Sequence, residues 1–194
     1  IYGTHVAGIV GAVANNGIGV AGVSYNAGIV PIKVFYVNSE GNAVASTASL
    51  VRAFTYVMSH ADEYGVKVIT MSLGMAYENE DFEDQAFFGS VRKAASQGIV
   101  TVAAACNSGT KYADDTVAAL PFYAWPADSE SIVSVINLRG SASSEGNDSS
   151  GAYTVSRSSS SNYNVAGQGG ANTRKGKNIS APGTSVLSTI PGAD

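Results

Sequence analysis

The 194-residue sequence predicts an α/β fold, with a mostly parallel central sheet and helices on both faces. Three observations predict it. Short apolar runs rich in β-branched residues alternate with longer segments of helical periodicity, the pattern of strand–helix–strand units. Those runs are continuously apolar rather than alternating, as in a sheet covered on both faces. Polar and glycine residues gather just after them, at 39–41, 72–74 and 107–109. In open α/β sheets, ligands bind beyond the carboxyl ends of the strands.

Each element follows from its residues. Residues 3–14 (GTHVAGIVGAVA) are small and apolar on all sides. They fit a helix in close contact with its neighbours or, alternatively, a core strand. Residues 29–35 (IVPIKVF) alternate weakly and read as a strand. Over 46–64, Leu50, Val51, Phe54, Val57, Met58 and Ala61 recur at helical spacing; Ser46 or Thr47 caps the start and Gly65 the end. Residues 66–73 (VKVITMSL) read as a buried strand, and 81–97 as a second helix closed by Gly98. Two further strands follow, at 99–105 (IVTVAAA) and 131–137 (SIVSVIN). Right-handed crossovers would join the parallel strands. Residues 138–177 are rich in Ser, Gly and Asn and read as a long surface loop or hairpin.

Composition narrows the function. Hydrophobic residues make up 45% of the chain, enough for a sizeable core, and the length suits one domain over 1–194. The net charge of −4 comes with no basic cluster, which argues against a nucleic-acid partner. No apolar run reaches the roughly 18 residues of a membrane span. Cys106 is the only cysteine, so no internal disulfide forms. No signal peptide opens the chain. Ile1 lies against the first motif, so the sequence reads as a piece of a longer protein, the rest of which would be its first partner.

The motifs carry a resemblance. YGTHVAG (2–8) is followed by NNGIGVAGV (15–23), IVPIKVF, VITMSLG (68–74), IVTVAAACNSG (99–109), WPADSESIVSV (125–135), Ser161-Asn162-Tyr163 and NISAPGTSVLSTIPG (178–192). In this order and spacing they resemble the subtilisin-like serine proteases (subtilases, peptidase family S8) over nearly the whole chain. The resemblance implies a subtilisin-like fold and a Ser-His-Asp endopeptidase, needing no cofactor for its chemistry and acting on peptide or protein substrates. Such proteins are usually secreted or held at the cell surface. Tyr2 stands where the family has its general-base histidine, while His5 matches a structural histidine. The family's aspartate lies upstream of this motif and its serine downstream of the APG segment, so none of the three triad residues falls in this chain.

By resemblance, Asn107 is the oxyanion donor. Ser72, Leu73 and Gly74 pair with a peptide and line its first pocket, with Ala104 and Ala105 as another wall. Ser39, Glu40 and Gly41 form the opposite strand of the groove. Ala14, Asn16, Ile18 and Val20 resemble a calcium loop. Cys106 departs from the family's usual glycine; it is either a small buried thiol or a side chain that narrows the first pocket.

Other patterns weigh less. Residues 17–22 (GIGVAG) satisfy the dinucleotide-binding glycine pattern, but a strand pattern with Pro31 follows where a helix is required. In Gly183-Thr184-Ser185, the alternating VLSTI that follows makes Ser185 a strand residue rather than a nucleophile. His60 reads as a solvated helix residue. Asn147 and Asn178 head glycosylation acceptor triplets of a kind common by chance. Two functional readings remain: a piece of an active serine endopeptidase, or a pseudoprotease that binds peptide or protein without cutting it.

Overall fold

The computed structural model describes residues 2–77, 86–109, 123–129, 131–141, 154–163 and 179–192. Contacts group the chain into two compact units, residues 1–34 with 185–194 and residues 35–184.

The first unit is built on helix α1 (Tyr2–Gly11), the first predicted segment. Close approach explains its small residues. A side chain at Gly8 would collide with Thr189 Oγ1 and Ser188 Oγ. Both hydroxyls donate to the helix backbone: Ser188 Oγ to His5 O at 2.6 Å and Thr189 Oγ1 to Thr4 O at 2.8 Å. His5 Nε2 donates to Val186 O at 3.2 Å, a structural role for this histidine. Two expected strands do not form. Residues 29–35 carry no ladder among the described residues, and pairing begins only at Tyr36. Pro31 lacks the N–H a ladder requires, and apolar alternation cannot make a strand without a neighbour to bond. Residues 186–190 likewise lie outside any strand. Ser185 has φ 56°, a left-handed kink that breaks the extended run into them.

The second unit holds the sheets and the other helices. Strands β1 (Tyr36–Val37) and β2 (Ala43–Val44) form a small antiparallel hairpin. Helix α2 (Thr47–Ser59) starts as predicted, with Ser46 as N-cap. Ser46 Oγ accepts from Ser49 N, and Ser49 Oγ accepts from Ser46 N, both at 3.1 Å. The predicted single helix is in fact two: the chain reorients at His60 before the short α3 (Ala61–Tyr64), which Gly65 ends at φ 63°. Strand β3 (Val68–Met71) follows, then β4 (Met75–Tyr77), α4 (Ala86–Ser96), β5 (Val100–Ala104), β6 (Tyr123–Trp125), β7 (Ile132–Ser141), β8 (Thr154–Arg157) and β9 (Ile179–Pro182). The start of the second predicted helix, 81–85, lies outside the described residues.

The main sheet runs β3-β5-β7-β8, with β9 also on β7. β3, β5, β7 and β9 pair in parallel, and β8 is antiparallel. The fold is therefore α/β with a mostly parallel sheet. Strand β7 outruns its apolar core through Ser141, where it pairs with β8, so the polar stretch begins as a hairpin arm. Alternate residues Thr101, Ala103 and Ala105 are buried on one face, with Ile132 and Ser134 beside them. Above the sheet, α2 and α4 pack together through aromatic rings. Phe87 meets Phe54 edge-on at 5.3 Å and Trp125 at 4.9 Å. Phe87, Phe88, Val91 and Ala94 are fully buried, which fixes the face α4 presents.

Candidate functional site

Parallel pairing of β3 with β5 sets the site's position. The register matches Met71 with Ala103, so 72–74 and 104–107 leave the same end of neighbouring strands. Strands in a sheet lie ~4.8 Å apart. The two segments therefore emerge side by side, Ser72, Leu73 and Gly74 from β3 and Ala104 to Asn107 from β5. Gly74 then enters β4, whose Met75 pairs with Trp125 of β6. A Cβ built on Gly74 would lie 2.5 Å from Cys106 Sγ and 2.9 Å from Trp125 O, so only glycine fits there.

The second segment turns sharply. Cys106 has φ 67° and Gly109 φ 65°, two left-handed residues that reverse the chain around exposed Asn107. Of the two alanines, Ala105 is buried on the core face and its N–H donates to Val135 O at 3.0 Å. Ala104 is half-buried, so its side chain is the more accessible.

The turn is held by residues 160–162, far away in sequence. Asn162 is fully buried. Its Oδ1 accepts from Ser108 N at 3.1 Å, and its own N–H donates to Cys106 O at 3.2 Å. Gly109 N donates to Ser160 O at 2.7 Å. Arg157 stiffens that support: its Nη1 donates to Ser158 O and Ser161 O at 2.8 and 2.7 Å, and its guanidinium lies 3.8 Å over the Tyr163 ring. Sequence reasoning noted Ser161-Asn162-Tyr163 only as part of a resemblance and missed this role. A polar amide in the sequence cannot announce which distant backbone it will satisfy.

The other predicted residues belong to other elements of the chain. Ser39, Glu40 and Gly41 form the tip of the β1–β2 hairpin. Asn38 Oδ1 accepts from Glu40 N and Asn42 N, and Gly41 takes φ 83°. In the first unit, Tyr2 begins α1 with its side chain 62% exposed. The loop carrying Ala14, Asn16, Ile18 and Val20 contains left-handed Asn15, Gly17 and Gly19, and Asn16 Oδ1 accepts from Ile18 N at 3.0 Å. It offers no carboxylate, and among the described residues no group of three or more His, Cys, Asp or Glu stands ready for a metal. His60 is half-buried between Tyr56 and Tyr64 rather than solvated. Asn147 and Asn178 lie outside the described residues. At the opposite ends of β3 and β5, a shallow pocket of about 340 Å³ runs past Val66, Lys67, Gln97 and Ile99, away from these segments.

The subtilase family model matches residues 2–193. The chain is 34% identical over 190 residues to Subtilisin DY of Bacillus licheniformis, covering 98% of this chain and 54% of that protein. It is 29% identical over 195 residues to an Extracellular protease of Xanthomonas campestris pv. campestris, covering 97% of this chain and 27% of that one. The solved structure of Sphericase superposes with a TM-score of 0.66 at 27% identity, over 95% of this chain and 53% of that one. The chain thus spans about half, or less, of the length of these relatives. Among the described residues no helix is long and apolar enough to cross a membrane. With a family model matching almost end to end and relatives aligned over nearly its full length, the chain belongs to the subtilase family.

Proposed function

We propose that this chain is the peptide-binding part of a secreted serine endopeptidase domain and does not cleave peptides by itself. The observation that carries this reading is the side-by-side exit of 72–74 and 104–107 from β3 and β5. An extended peptide laid along 72–74 would form main-chain hydrogen bonds, recognition by strand addition. Asn107 would then donate its side-chain amide to the peptide's carbonyl, a contact whose loss costs roughly 10²–10³ in turnover in an intact enzyme. Glu40 and its neighbours would supply the second edge of the groove. Tyr2 offers no imidazole to take a serine proton, so it does not serve as a general base. The purified chain is expected to bind extended peptides without hydrolysing casein or a chromogenic peptide, and a fluorophosphonate should leave Ser185 unlabelled. Hydrolysis that persists through repurification would overturn the non-cleaving part, and absence of peptide binding the groove.

The tyrosine at position 2 also supports a second reading, a pseudoprotease that recognises peptides or a partner protein without cutting. The full-length protein separates the two, assayed with Tyr2 and as Tyr2→His. An increase in hydrolysis with histidine assigns the parent to the enzymes; equal background rates assign it to the binders.

Calcium at Ala14, Asn16, Ile18 and Val20 is a subordinate proposal. Four oxygens fall short of the 6–8 that calcium takes. These residues would hold the ion only together with donors from elsewhere, and calcium would act on stability rather than on chemistry. A melting temperature unchanged by millimolar calcium would remove it.

A further inference from the structure

We propose that Cys106 closes the cleft between 72–74 and 104–107 to large side chains, so that it accepts glycine or alanine there. The inference rests on the peptide groove proposed above and adds its substrate class. Two neighbouring strand ends leave a gap into which a side chain of a bound peptide would descend. In this chain the gap already has an occupant. Cys106 Sγ lies so near Gly74 that a single added carbon on the glycine would come within 2.5 Å of the sulfur. The carbonyl of Trp125, 2.9 Å from the same point, bounds the space further. The left-handed backbone at Cys106, φ 67°, fixes the direction in which its Cβ projects, toward the same space as its Sγ. Leaving that conformation would break the turn that Asn162 holds through Cys106 O and Ser108 N. The backbone therefore does not carry the side chain out of the cleft cheaply.

The same geometry makes the test clean. Glycine is the residue that a φ of +67° favours, so Cys106→Gly opens the cleft without straining the backbone. Fluorescence titration would compare short peptides ending in Ala, Leu or Phe on the wild-type chain and on Cys106→Gly, with circular dichroism to confirm folding. The wild type should bind the alanine peptide about tenfold or more tightly than the phenylalanine peptide, the scale on which pocket size discriminates apolar side chains. Cys106→Gly should erase or reverse that preference. The same preference in both proteins would overturn the inference while leaving the groove intact. Binding of no peptide by either protein would remove the groove, and this inference with it.

Discussion

Thr101 is 2% exposed on the core face of β5, and its hydroxyl has no hydrogen-bond partner among the described residues. A buried hydroxyl without a partner loses its water and gains nothing for it. Replacing it by the isosteric Thr101→Val should leave shape and packing untouched. We expect that variant to be more stable by about 1 kcal/mol in urea unfolding; a loss of stability would mean that the hydroxyl has a partner after all. Asn162 is the opposite case. Its side-chain Oδ1 accepts from Ser108 N–H while its backbone N–H donates to Cys106 O, so Asn162→Ala would keep the second contact and remove the first. Residues such as these fix a site's shape without touching a ligand.

Between α2 and α3, one chain reorientation stacks three rings. His60 sits 4.3 Å from the Tyr56 ring and 5.4 Å from the Tyr64 ring, and Tyr56 and Tyr64 share a hydroxyl hydrogen bond of 3.3 Å. That hydrogen bond, then desolvation and the nearby Glu63 and Tyr56, push the Tyr64 phenol above its ordinary value of 10.0. A phenol that holds its proton more tightly when folded stabilises the fold below its unfolded pKa. Above that value the folded state keeps a proton the unfolded state has lost, so stability falls as pH rises through the folded pKa. The group is on the surface, so the effect is small. Unfolding curves at successive pH values from 9 to 11 should show a decline that Tyr56→Phe lessens. An identical decline in that variant would assign it to other groups.

For the whole molecule, the elements legible in the sequence were those with a local signature. The Ser46 cap, the Leu50–Phe54 stripe and the apolar run 99–105 each carry their own period or terminus, and all three formed. What failed depends on partners. Residues 29–35 alternate yet find no ladder among the described residues, and 186–190 follow a left-handed Ser185. The β4–β6 pair and the β1–β2 hairpin were invisible because strands of two or three residues have no period to read. The candidate site was legible where it trails strands, at 72–74 and 104–107, because parallel strands end on one side. Its support by Asn162 was not, since a contact 54 residues distant leaves no mark on either segment.

That distance has a consequence in time. Loop-closure entropy must be overcome before a contact so remote is rewarded, so the Asn107 turn should order late, after β7 and β8 have brought 158–163 into place. The order of assembly would then be scaffold first and recognition surface last. A chain caught midway would hold its sheet but no specific ligand, a safeguard against premature binding by an unfinished molecule. Pulse-labelled hydrogen exchange during refolding should show the Ser108 and Gly109 amides gaining protection after those of β5; simultaneous protection would mean that the turn forms with the sheet.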